Sequence, residues 1–233
     1  MAASRPLLLL LLLLASPCAV RPAAGEGLPL TDGFTAVELT EDQFKVQMPY
    51  DVPLAERYEL AGGVRRMWVY ATDKPITTAH PGGPRTEIKI EASYSNTLPY
   101  DMHIYLAARS CCEFSGVWQF EGYGYIPCGT SGASVMQIFG AAEHATTLML
   151  HVYGVVTGVV DAGVYDRWFR LNVIHDVAAS NVTVFVDGER RLTVAGRGGG
   201  SHYFKFGVYG QSRNGMSYRM ESRWRDVKVF TKC

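Results

Sequence analysis

The 233-residue sequence is short of charge: Asp, Glu, Lys and Arg make up only 19% of it, and 22 basic residues balance 22 acidic ones for a formal net charge of +0. Without a basic field there is nothing to hold a phosphate backbone by counterion release, so a nucleic-acid partner is excluded. Long apolar runs are also lacking. The longest, Leu7 to Leu14, falls below the roughly 17–25 residues that a membrane-spanning helix needs, and no transmembrane segment is expected. Sustained helical periodicity is missing too, broken by 24 Gly and 11 Pro, which argues against an all-helical protein and a coiled coil. Cys-x-x-Cys and calcium-loop spacing are both absent, so neither a metal nor a cofactor is expected.

What is present begins with a leader. Arg5, the apolar run behind it and the small residues Ala15, Ser16, Ala19, Ala23 and Ala24 form a secretory signal pattern, assigned to residues 1–24. The mature domain, 25–233, is then expected in the secretory pathway, in the cell wall, outside the cell or in the vacuole. In that oxidising setting Cys111, Cys112, Cys128 and Cys233 read as disulfide-forming. Adjacent cysteines pair poorly, so two of three connectivities stay open, each joining Cys111 and Cys112 separately to Cys128 and Cys233. Asn181-Val182-Thr183 is a glycosylation acceptor.

Short β-branched and aromatic runs punctuated by turn residues recur from Val64 to Phe230, the pattern of an all-β sandwich or jelly roll. Asp187-Gly188 between Val182–Val186 and Leu192–Val194 predicts a tight hairpin. A helix over Leu148 to Val160 is the weaker alternative, given its two glycines and five valines. Strand alternation puts Arg85, Glu87 and Lys89 on one face and Thr86, Ile88 and Ile90 on the other. It likewise gathers Tyr203, Lys205, Tyr209 and Gln211 around Gly207, with Phe204, Phe206 and Val208 opposite. Tyrosines mixed with cations about a small residue suit a ligand better than a merely solvated face does.

Three of these segments, Arg85-Thr86-Glu87-Ile88-Lys89, Gln137-Ile138-Phe139 and Tyr203 to Gln211, resemble the signature strands of the alginate-lyase-like superfamily of polysaccharide lyases. Surrounding stretches, among them Gly116-Val117-Trp118-Gln119-Phe120-Glu121-Gly122-Tyr123-Gly124-Tyr125 and Tyr165-Asp166-Arg167-Trp168-Phe169-Arg170, are similar to the plant citrate-binding proteins of that superfamily. The resemblance implies a concanavalin-like β-jelly roll with a groove on its concave face, and a plant source. Residues 92–114 stand out as an insertion against this pattern.

β-Elimination on a uronate requires a group to neutralise the carboxylate, a base for the C5 proton and an acid for the leaving oxygen. The resemblance assigns Arg85 and Gln137 to the carboxylate, Tyr209 to acid and base, and Lys205 to the sugar or to the tyrosine. Where the lyases carry a histidine after Gln-Ile, this chain has Phe139, which cannot accept a proton. His80 is the expected substitute, followed by His151; His103, His144 and His202 are placed on the surface, and His175 is given no function. With the base gone, Arg85, Glu87, Lys89, Lys205, Tyr203 and Gln211 become a candidate receptor for citrate or an acidic polysaccharide. Expected first, then, is a monomeric protein that binds an acidic ligand. A polyuronate lyase comes second and a non-catalytic carbohydrate-binding module third.

Overall fold

Period-two alternation drives the architecture, since each strand puts one row of side chains into an apolar layer and the other row outward. The computed structural model describes residues 30–79, 82–92, 116–140, 146–153, 163–198, 201–211 and 215–232. Within them the chain forms β1 (Thr35–Val37), β2 (Phe44–Gln47), β3 (Tyr58–Ala61), β4 (Val64–Tyr70), β5 (Arg85–Ile90), β6 (Val117–Tyr125), β7 (Ala133–Gly140), β8 (Thr146–Val152), β9 (Trp168–Asp176), β10 (Asn181–Val186), β11 (Glu189–Ala195), β12 (His202–Gly210) and β13 (Arg219–Lys232). An eight-stranded sheet runs β11-β10-β9-β6-β13-β4-β3, with β1 also pairing β13. A five-stranded sheet runs β2-β5-β12-β7-β8. All pairs of strands are antiparallel. The two layers form the jelly roll that the alternation and the resemblance predict.

The core between the layers is aromatic at its centre. The Trp224 ring packs 5.9 Å from Phe120 and 5.6 Å from Phe206, and Phe204 lies 5.8 Å from Phe120. Trp224 Nε1 donates to Ser222 Oγ at 3.0 Å, and that hydroxyl donates on to the Gly207 carbonyl at 2.9 Å. A satisfied polar pair thus pins the middle of β12 to β13 across the sandwich.

The predicted hairpin is present: Val186 faces Glu189, and Asp187 and Gly188 take φ of 52° and 83°, the left-handed values of a type I′ turn. Asp187 also accepts from Arg167 Nη1 at 2.7 Å and from the Arg170 amide at 2.9 Å. Leu148–Val152 is strand, not helix. β1, β2 and β3 were not legible in the sequence because they are only three or four residues long and mostly half-exposed or exposed.

One placement is corrected. His202 lies not on the surface but fully buried on the core side of β12, its ring 4.7 Å from that of His175. Cys128 is disulfide-bonded. The other four cysteines, His80, His103, His144 and most of the 92–114 insertion lie outside the described residues. No helix among the described residues is long and apolar enough to cross a membrane.

Candidate functional site

Three segments far apart in the chain become neighbours because β5, β12 and β7 are consecutive in the five-stranded sheet. Register sets Tyr209 opposite Arg85, Gly207 opposite Glu87, and Lys205 between Lys89 and Gln137, with Tyr203 beside Phe139. Thr86, Ile88, Ile90, Met136, Ile138, Phe204, Phe206 and Val208 fill the core from these strands, so the alternate residues form the sheet's other face.

Glu87 is the centre of that face. Its carboxylate is 2% exposed. Oε2 accepts from Lys205 Nζ at 2.6 Å and from Arg85 Nη1 at 3.2 Å, and Oε1 accepts from Gln137 Nε2. One buried acid therefore ties together side chains from all three signature strands. Lys205 is itself only 3% exposed, and burial pulls its ammonium below the ordinary lysine range despite the opposing charge of Glu87.

Arg85 links this network to Tyr209. Its guanidinium carbon lies 3.6 Å from the centroid of the tyrosine ring, a stacked geometry that fixes the fork. Its Nε is buried and has no hydrogen-bond acceptor. Gly82 and Gly83 close over the same pair: a methyl at Gly82 would come 2.5 Å from Arg85 Nη2 and 3.2 Å from Tyr209 Oη, and one at Gly83 would come 2.4 Å from the Gly210 carbonyl. At Gly83 the clash is with backbone, so only a residue without a Cβ permits that approach. Motif spacing gave no sign of this close packing. The Gly-Gly pair before Arg85 was the signal available.

Phe139 and Tyr203 stack at 5.3 Å and 29°. Burial and the charge of Glu87 push the Tyr203 phenol up. Lys89 Nζ lies 4.9 Å from the Tyr203 centroid and 3.6 Å from Glu91 Oε1. Gln211 Nε2 donates to the Tyr209 carbonyl at 3.2 Å, which steadies the end of β12. Among the described histidines only His151 is on this face. It lies across Ser134 from Tyr209, two strand spacings or about 10 Å away, and stacks on Tyr153 at 6.0 Å. Asn181 is the half-buried first residue of β10, well away from this face in the other sheet. No group of His, Cys, Asp or Glu that could hold a metal occurs among the described residues.

Gly207 makes the close strand approach here. At φ 140° an added Cβ would come 2.5 Å from the Thr86 carbonyl and 2.6 Å from Glu87 Cα, both backbone atoms that cannot rotate away. Gly207→Ala is expected to cost about 1–3 kcal/mol and to loosen β12 from β5, as urea unfolding would measure.

Known proteins carry the same strand arrangement. A family profile described as alginate lyase matches residues 37–231. The chain belongs to that family. It is 45% identical over 205 residues to a citrate-binding protein of Hevea brasiliensis, covering 86% of this chain and 78% of that protein. Among solved structures, an alginate lyase from Corynebacterium sp. superposes with a TM-score of 0.55 at 13% identity, covering 78% of this chain and 83% of the other. The marine family 7 alginate lyase of Zobellia galactanivorans gives 0.54 at 13% identity, covering 84% and 98%. The family's jelly roll is thus retained in a chain whose sequence lies much nearer the plant protein than these lyases.

Proposed function

We propose that the outward face of the five-stranded sheet binds a carboxylate-bearing ligand, citrate or a uronate glycan, and does not cleave it. The observation that carries this is Phe139: the position that resemblance would give to a basic histidine holds a phenyl ring stacked on Tyr203, which has no lone pair to take a C5 proton. Arg85 supplies the recognition. Glu87 engages its Nη1 and Tyr209 holds its plane, so the part of the guanidinium that reaches the surface is already oriented for a ligand carboxylate. The name of the Hevea relative supports an acid as ligand. A secretory setting in cell wall or vacuole rests on the leader-like residues 1–24 and the Asn181 acceptor.

Elimination is the competing function, and the specific observation for it is that Arg85 lies against Tyr209, which joins a carboxylate-binding cation to the residue that would serve as acid. The two separate in one set of measurements. Calorimetry with citrate and with short uronate oligomers is expected to show saturable heat that Arg85→Ala weakens 10- to 100-fold, the loss of a charged hydrogen bond worth roughly 1.5–3 kcal/mol. Absorbance of an unsaturated product is expected to stay flat. A product that forms with the parent and vanishes with Tyr209→Phe or His80→Ala sinks the binding-only proposal. No heat with either ligand removes acid binding.

A further inference from the structure

The opposite side of the sandwich carries its own charged surface, independent of the site above. Register across the eight-stranded sheet sets Glu59, Arg66, Arg223, Tyr125 and Trp168 in one row on β3, β4, β13, β6 and β9. Five adjacent strands make this row about 19 Å long. Next to it Glu221, 1% exposed, is held by three guanidinium groups. Arg66 Nε and Arg223 Nε donate to Oε1 at 2.9 and 2.7 Å, while Arg66 Nη2 and Arg219 Nη2 donate to Oε2 at 3.1 and 2.5 Å. Three cations on one carboxylate leave positive charge over, and Glu59, 3.6 Å from Arg66, offsets only part of it.

The arginines are half-exposed and already oriented. Arg66, Arg219 and Arg223 side chains are 37–39% exposed. Arg223 rests 5.1 Å from the Tyr125 ring and Arg66 5.2 Å from Trp68, and Arg225 continues the pattern 4.8 Å from Trp168. Rings on one side and Glu221 below fix the guanidinium planes, so little rotamer freedom remains to be lost on binding. Arg219 and Arg223 each use one N–H on Glu221, which leaves their other donors for a ligand. A depression of ≈ 260 Å³ between Glu59, Ala61, Val64, Arg66 and Arg223 opens at the end of the row.

We propose that this surface is a second binding site, for a linear uronate glycan lying along β13, with its carboxylates on Arg66, Arg219 and Arg223 and its sugar rings beside Trp68 and Tyr125. Arg219, Arg223 and Arg225 follow one another on one face of β13 over about 20 Å, with Arg66 beside Arg223, and forked cations spread over that length suit carboxylates repeated along an extended chain better than one compact acid. Tyr125 and Trp68 flank these cations and give the sugar rings apolar surface to rest against, and Glu59 can accept their hydroxyl groups. With acidic residues inside the row and no net charge on the chain, a bare polyphosphate is the poorer occupant.

The test titrates the full chain with a short galacturonate oligomer by calorimetry and tryptophan fluorescence. Expected are a stoichiometry above one, a fluorescence change that Trp68→Phe diminishes, and at least tenfold weaker binding at one site in Arg223→Gln. Because losing a guanidinium beside buried Glu221 costs stability, Arg223→Gln/Glu221→Gln, which removes both charges, is measured beside it and should show the same loss. Arg85→Ala should leave this site filled, so failure of the other face reads as one remaining site that Arg223→Gln/Glu221→Gln abolishes. Unchanged affinity in that double variant, or equal binding of a neutral glucan oligomer, overturns the proposal.

Discussion

Replacing Glu87 by alanine is expected to destabilise the protein by about 3–5 kcal/mol, the cost of leaving a buried charge without its partner. Lys205 is 3% exposed and its ammonium donates to Glu87 Oε2 at 2.6 Å. Without that carboxylate it has neither water nor counter-charge, and Gln137 and Arg85 each lose an acceptor in the same step. Chemical denaturation monitored by tryptophan fluorescence would show the midpoint fall. Glu87→Ala/Lys205→Met should recover most of the loss, because an apolar replacement of both members removes the desolvation cost together with the attraction. A loss in the single variant of under about 1 kcal/mol, the worth of an exposed ion pair, would mean that the network does not hold β5, β7 and β12 together. The same experiment bears on binding, since Glu87 sets where Arg85 points.

A second large effect is expected from acid. His175 is fully buried, and burial, joined by the neighbouring His202, lowers its pKa from 6.5 to about 4, with Asp176 pulling weakly the other way. Its folded pKa lies below the unfolded one, so the unfolded chain binds the extra proton first. The stability this neutral imidazole contributes is complete above about pH 6.5 and drains away as pH falls toward 4, roughly 3 kcal/mol across the window. Glu221, also held below the ordinary carboxylate range by Arg66 and Arg223 against its burial, loses its share at lower pH still. Thermal unfolding from pH 7 to 4, run on the parent and on His175→Leu, isolates the histidine: the variant should show a shallower fall across that range. Parallel curves would mean that some other group is responsible.

The layout of the fold was largely readable in advance because its strands alternate cleanly. Arg85–Ile90 and His202–Gly210 sort polar from apolar residues with only Thr86 and His202 as polar members of the core-facing rows, and Asn181–Val186 with Asp187-Gly188 carries its own turn chemistry. The short edge elements did not announce themselves: Thr35–Val37 and Tyr58–Ala61 owe their strand state to partners on β13 and β4 rather than to any pattern of their own. For the site, the outward set Arg85, Glu87, Lys205 and Tyr209 follows from the period alone. Which groups would pair does not. Glu87 pairs with Arg85 on its own strand, two residues away, but it also holds Lys205 on β12, 118 residues on, and Gln137 on β7. Long-range ion pairing depends on strand order, which period and composition leave open. His202 was misplaced for a related reason: one imidazole at a strand end reads as polar, and it is the facing His175 ring that brings it into the core.

Strand order also constrains how the protein is made. β12 is the middle of one layer, between β5 and β7, and β13 joins β4 to β6 in the other, yet among the described strands these two come last in chain order. Until they emerge, both layers remain split into fragments with open edges, which predisposes the growing chain to slow maturation and to capture by chaperones.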